Sequence, residues 1–250
     1  AMGKRGSEVS REAADLILLD DNFSTIVDTI KDGRRIYDNI KKAVGYVFTI
    51  HIPIAFASLI APIIGIIPTS ILLLPIHVVL LELIIDPTCS IVLERQPTEL
   101  NIMQRPPRAS QEKLLTGAML TKSIIQGLAI FGASFAAYYH FINIYPENAP
   151  LARTMGLTII FISNVLLVQV NSSNTEFAFN TFKRQIRDKV MWLVIIGTFV
   201  WLLIILYTPL STFLKLAPLS LGQFLLCIVI SCVAVLWYEL VKLFKKVIAK

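Results

Sequence analysis

Two carboxylates, Glu82 and Asp86, sit inside the apolar run LLELIIDPTCSIVL, and Pro87 follows the second. At i and i+4 they share one face of a helix. An acid near the middle of a membrane segment costs about 2.5–3.5 kcal/mol on insertion scales, so such residues face a bundle interior and mark a path for ions or protons. Pro87 has no N–H to give to the Leu83 carbonyl, and its ring disturbs the preceding turn by about 3 kcal/mol. The freed Leu83 oxygen is open to a cation. The run FTIHIPIAF repeats the device, with Pro53 freeing the Thr49 carbonyl beside His51. These types and spacings predict a cation or proton site. Asp86 and Glu82 are its metal-binding carboxylates, His51 stands beside them, Thr49 and Leu83 supply oxygens, and Pro53 and Pro87 break the helices. Two plainer readings use the same residues: Glu82 and His51 simply pair, or Asp86 caps the break at Pro87.

The elements that must hold these groups are membrane helices. The chain has 250 residues, of which 55% are hydrophobic and only 16% charged, and its mean hydropathy is +0.70. That composition excludes an ordinary soluble domain. No Lys, Arg, Asp or Glu occurs between Val44 and Leu81, and about 20 apolar residues suffice to cross a bilayer. The apolar runs predict six spans, at about 43–64, 71–93, 117–141, 154–171, 190–208 and 219–241. The fold class expected is an all-α six-helix membrane bundle with a short cytoplasmic α/β fragment and a helical stalk at its N-terminus. Apart from Arg153 and Lys215, every Lys and Arg precedes the first span, follows the sixth, or lies in or beside the loops after the second and fourth. Both termini are therefore expected in the cytoplasm. The net charge of +6 reflects this asymmetry and not a nucleic-acid surface.

Depth brings the polar residues together. His51 is about eight residues in from the edge near Ala43, and Asp86 and Glu82 are about six and ten in from the edge near Val92. An antiparallel hairpin with a tight turn at 65–70 then places all three at one height, the way transporters build cation sites from broken helices. Other polar positions carry less. His77 reads as interfacial, Ala129, Ala133 and Ala137 as a small-residue packing ridge, and Asn164, Gln169 and Asn171 as either helix-joining groups or one more ligand. The last two spans read as scaffold. Cys89, Cys227 and Cys232 all fall within spans, so no disulfide framework follows.

Residues 1–42 form a separate unit. Leu16 to Leu19 reads as a buried strand, Asp20 to Asn22 as a turn offering Asp21 and Asn22 as helix caps, and the rest as a helix that continues into the first span. From Arg34 to His51 this rod is about 25 Å long, long enough to carry movement from cytoplasm to bilayer middle. A lone strand of this type needs neighbours. It is expected to be the edge of a larger cytoplasmic domain, the alternative being a natural start at Met2 with a disordered leader.

The segment AMGKRGSEVSREAADLILLDDNFSTIVDTIKDGRRIYDNIKKAVGYV resembles the end of the phosphorylation domain and the stalk of cation-transporting P-type ATPases. ELIIDPTCSIVLERQP with MQRPPR resembles their sixth helix and its following loop, and LARTMGLTIIFISNVLLVQVNSS their eighth. The resemblance covers essentially the whole chain and is nearest a bacterial branch, which implies a bacterial plasma membrane. It makes the six spans helices five to ten of a ten-helix pump, and Arg34, Arg35, Tyr37 and Asn39 coupling residues of the stalk. Asp86 matches the sixth-helix aspartate ligand of calcium pumps. Glu82 and His51 stand where that group has asparagines, and Ile54 where it has a glutamate, so a divalent ion, a monovalent ion and a proton all remain open. The resemblance further implies partners: the transported cation, the lipid bilayer, and the actuator, nucleotide-binding and phosphorylation parts with the first four helices. ATP and Mg2+ belong to the intact pump, and no cofactor is expected in this chain, which contains no DKTG or TGDGxND motif and is not expected to hydrolyse ATP alone. A self-contained proton-coupled carrier or channel, or an inactive remnant, is the alternative.

Overall fold

A computed structural model of the chain describes all residues except 69, 100, 110, 112, 174, 175, 187, 249 and 250, and all of their side chains except those of residues 86, 88, 89, 90 and 184. The elements among the described residues are helices, in the order α1 Glu8–Glu12, α2 Ser24–Ile63, α3 Pro75–Pro87, a π-helical turn Thr88–Leu93, a 3-10 turn Ile102–Gln104, α4 Gly117–Ile144, α5 Ala149–Asn171, α6 Ala178–Gln185, α7 Lys189–Tyr207, α8 Leu210–Phe213 and α9 Leu221–Ile248, joined by turns and irregular segments. Five of them, α2, α4, α5, α7 and α9, are long and apolar enough to cross a membrane. The second expected span instead joins the 13-residue α3 to the six-residue π turn. Pro75 starts α3 and Pro87 closes it, so proline sets both limits.

At the N-terminus the expected strand shrinks to one parallel bridge between Met2 and Leu18. Gly3 N donates to Leu18 O at 2.7 Å and Leu18 N to Ala1 O at 2.8 Å. Asp21 does not cap α2. At φ 55° it turns its carboxylate onto the Lys4 and Arg5 amides, at 2.8 and 2.9 Å. Asn22 Oδ1 accepts from Ser24 N at 3.1 Å, just before the helix starts.

α2 then runs 40 residues without interruption, through Gly33, Pro53 and Pro62. Pro53 therefore does not break it, contrary to the expectation from sequence. A proline inside a membrane helix is tolerated where neighbours cover the freed backbone, and here α4 does so: a Cβ added at Gly127 would lie 2.6 Å from Thr49 O. α2 ends at Gly65, whose φ of 77° and the Ile66 N to Ala61 O bond of 2.9 Å form a Schellman stop.

α5 is the buried centre. Its membrane window is 83% buried, against 28–39% for the other four spans, with α4 and α9 packed along it. On α4 the packing face is Ser123, Gln126, Gly127, Ile130, Ser134, Ala137 and Tyr138. Of the expected Ala129–Ala133–Ala137 ridge, Ala137 is buried on this face, Ala133 packs half-buried against the core, and Ala129 is half-buried. Close approach is made instead by Gly127 against α2 and by Ser134, whose Oγ donates to Gly156 O at 2.8 Å. Gly127→Val is expected to wedge α2 from α4 and destabilise the fold by about 1–3 kcal/mol or more, read from thermal unfolding in detergent. Large apolar side chains such as Leu193, Ile196 and Val233 are exposed along α7 and α9, as lipid-facing surfaces require.

Of the two basic residues outside the charge pattern, Arg153 is explained by packing, whereas the Lys215 side chain is exposed. Arg153, 1% exposed, donates to Ile71 O at 3.0 Å and Lys215 O at 2.6 Å, tying two loops together. His77 is not interfacial: it is fully buried, with Nδ1 accepting from Leu74 N at 3.2 Å and Nε2 bonded to Leu214 O at 2.8 Å. Its ring closes the start of α3 onto the loop after α8.

Candidate functional site

α2 and α3 bring His51 and Glu82 together. Nε2 of His51 lies 3.2 Å from Glu82 Oε1, and His51 Nδ1 bonds the Val47 carbonyl at 2.7 Å. The second contact uses the helix's own i−4 oxygen to fix the ring, so the other nitrogen meets the carboxylate in one orientation. The pair is neither buried nor free in solvent, with side-chain exposures of 48% and 34%. It opens on the outer face of the described helices.

Asp86 lies four residues beyond Glu82 in α3, but its side chain is outside the described residues. Leu83 turns its side chain outward, 62% exposed, beside an apolar cleft that also contains Pro87, Gly197 and Trp201. Thr49 stands apart from this group, contrary to the sequence reading. Two residues along a helix turn through about 200°, so Thr49 faces α4 when His51 faces α3. It is fully buried, its hydroxyl donates to Gly45 O at 2.8 Å, and its carbonyl is covered by Gly127. Among the described residues no three His, Cys, Asp or Glu side chains gather around one point.

A second polar assembly lies where the stalk part of α2 meets the loop after the π turn. Arg34 donates from one nitrogen to Ile102 O and Arg105 O, both at 2.8 Å. The buried Asn39 donates to Glu94 O at 3.0 Å and Gln96 O at 2.9 Å. The Tyr37 ring lies under Arg108, 4.3 Å from its guanidinium carbon. Three of the four stalk residues singled out from sequence therefore grip this loop, while Arg35 bonds its own helix neighbour Asp32 at 2.8 Å.

Sequence reasoning missed the centre of this assembly. Lys42 and Glu99 form a 3.0 Å ion pair with side chains 4% and 5% exposed. Arg105 bonds Glu99 as well and reaches Asp38 at 2.7 Å. The one available signal was Lys42, a cation next to an apolar span, which asks for a partner. Burial opposes ionisation of Glu99, but Lys42 and Arg105 outweigh it and hold its carboxyl below the ordinary value of 4.5. A lowered folded value means that this contribution is complete above 4.5 and is lost as pH falls through the folded value. Protection of the amides in residues 94–105, corrected for the pH dependence of intrinsic exchange, should accordingly fall in acid below that value and stay level from there to neutrality.

Residues 70–244 match the family model described as cation transporting ATPase, C-terminus. The chain is 27% identical over 234 residues to a calcium-transporting ATPase of Bacillus subtilis, covering 93% of this chain and 26% of that protein. It is 30% identical over 242 residues to calcium-transporting ATPase 8, plasma membrane-type, of Arabidopsis thaliana, covering 94% and 22%. With the cation-transporting ATPase pma1 of Synechocystis it shares 28% identity over 237 residues, covering 91% and 25%. The chain spans about a quarter of the length of these relatives.

Proposed function

Because the chain belongs to the family of cation-transporting ATPase C-terminal membrane domains, we propose that α2 and α3 carry one wall of the pump's cation path, with Glu82, His51 and Asp86 as its polar groups. The observation that supports this is the 3.2 Å His51–Glu82 pair on the open face of α2, which is long and apolar enough to cross a membrane, and the shorter apolar α3. An acid left against lipid is costly, so this face calls for further helices or a bound ion. Relatives about four times as long supply room for such helices.

In this reading Asp86 adds the second carboxylate and the Leu83 carbonyl, freed by Pro87, a neutral oxygen. Thr49 is left out because it serves the α2–α4 packing. The donor set of carboxylates, a backbone oxygen and one imidazole accommodates a hard divalent ion, a monovalent ion or a proton. The stalk transmits the drive: Arg34, Tyr37 and Asn39 fasten α2 to the loop after α3, so a pull on α2 moves both walls of the site together. ATP and Mg2+ act in the nucleotide-binding and phosphorylation parts of the intact pump, the membrane is a bacterial plasma membrane, and both termini lie on its cytoplasmic side. The test is cation-stimulated ATPase activity or transport by the full-length pump over a panel of cations, with Asp86→Asn as the comparison. A saturable response to one cation that weakens in the variant supports the reading. A variant with unchanged ion dependence removes Asp86 from the site.

A further inference from the structure

Between α5 and α7 the chain adds the short helix α6, in which Phe179, Phe182 and Ile186 follow one another at i, i+3 and i+7. That spacing puts apolar side chains on one side of a helix, and Ile186, just past the last helical residue, keeps helical backbone angles. A stripe that served the core would be buried. Here Phe179 is 75% and Ile186 51% exposed, while the buried face of α6 is polar, made by Thr181 and Gln185. Thr181 Oγ1 donates to Phe177 O at 3.2 Å, and Gln185 Nε2 donates to Gln96 Oε1. The helix thus turns its polar side to the protein and its apolar stripe away from it.

What the stripe faces is set by α7. Phe182, in the middle of the stripe, meets Trp192 edge-on with ring centroids 5.6 Å apart, and Trp192 Nε1 donates to Ile186 O at 2.9 Å. Trp192 lies in the first turn of a helix long and apolar enough to cross a membrane, the place where an indole sits among lipid headgroups. Leu193 and Ile196, on the exposed surface of the same helix, continue the stripe into the lipid-facing side of α7. The charges agree with this setting. The stretch FKRQIRDK sets Lys183, Arg184, Arg187 and Lys189 against the single acid Asp188. Asp188 is engaged in capping α7, accepting from Val190 N at 2.9 Å, and Lys183 and Lys189 are exposed. An apolar stripe flanked by basic side chains is how a helix lies in the plane of an anionic membrane surface.

We propose that α6 docks on an anionic lipid surface, inserting Phe179 and Ile186 at the boundary of headgroups and acyl chains and setting Lys183 and Lys189 against the lipid phosphates. The surface lies at the end of the bundle where α9 leaves, since Ala178 N donates to Glu239 Oε2 at 3.0 Å toward the C-terminal end of that helix. Docking there also braces the π turn after α3, because Gln96, held by Gln185, donates from Nε2 to Val92 O at 2.8 Å.

The test reads depth in the full chain and again in the full-length pump, each with its native cysteines replaced by alanine and reconstituted in vesicles of phosphatidylcholine and phosphatidylglycerol. Nitroxide labels are attached to Phe179→Cys, Ile186→Cys and Asn180→Cys. Those at 179 and 186 should lie about 5–10 Å into the boundary region, more accessible to oxygen than to a water-soluble nickel chelate, and the label at 180 should show the reverse. Both apolar positions should become shallower in phosphatidylcholine alone and in a Lys183→Glu, Lys189→Glu variant. Lys183→Arg with Lys189→Arg should keep the depth, which separates lost charge from lost folding. Labels at 179 and 186 as open to nickel as that at 180 overturn the proposal. So do labels shielded from both reagents, which would place a protein partner on the stripe, and depths indifferent to lipid charge and to both lysines. None of these outcomes bears on Glu82.

Discussion

Glu99→Ala is expected to destabilise the protein by about 3–5 kcal/mol, the range for removing one partner of a buried ion pair. The loss comes less from the vanished attraction than from what stays behind. Lys42 is 4% exposed and its side chain has Glu99 at 3.0 Å as its counter-ion; without it an ammonium is buried beside the membrane edge with nothing to offset its desolvation. Arg105 also loses a bond, keeping Asp38 at 2.7 Å. Because the same loop accepts from Arg34 and Asn39, its release should loosen the whole contact between stalk and loop. Denaturant unfolding in detergent checks the magnitude. Glu99→Gln, which keeps the shape and part of the hydrogen bonding, should fall between the wild type and Ala. A double Lys42→Met, Glu99→Leu variant should recover most of the loss, since a buried pair exchanged for apolar groups is often neutral.

The second large effect is on ion dependence. Glu82→Gln in the full-length pump should weaken the apparent cation affinity by at least about 10–100-fold, the range that losing only a hydrogen-bonded outer partner of a ligand produces. His51→Ala should weaken it by about tenfold through the other route: the carboxylate remains but loses the ring that orients it. The order of the two is the informative part. If Glu82 and His51 only tie α2 to α3, both substitutions should lower stability alike and leave the ion dependence untouched.

Which of these features could be read from sequence follows from contrast. The spans from 117–141 to 219–241 were legible because a long apolar run with at most one charge has few alternatives, and α4, α5, α7 and α9 lie where hydropathy put them. Glu82 and His51 were legible because a polar group in an apolar run stands out, and the tight turn at Gly65 fixed the relative height of their helices. Pro53 misled because proline's penalty was read locally, whereas Gly127 on another helix covers the carbonyl that Pro53 frees. Thr49 followed it into error, since freeing an oxygen says nothing about the direction it faces. The Ala129–Ala137 spacing was legible in part: Ala133 and Ala137 pack against the core, but small residues do not by themselves mark the points of closest approach, which fall at Gly127 and Ser134. Glu99 and Arg105 were invisible because they lie in an ordinary polar loop. Only a chain that folds back over α2 gives them burial, and that return depends on carbonyls of residues 94–105, which carry no side-chain signature.

The most direct measurement is chemical labelling of Glu82 with a hydrophobic carbodiimide in the bilayer-embedded pump, mapped by peptide mass spectrometry across a cation series. A carboxylate that holds the transported ion should be protected by that ion over the same concentrations that stimulate ATP hydrolysis, and by no other cation of the panel. Labelling of Glu82 that stays constant while hydrolysis saturates would contradict a cation path along α2 and α3.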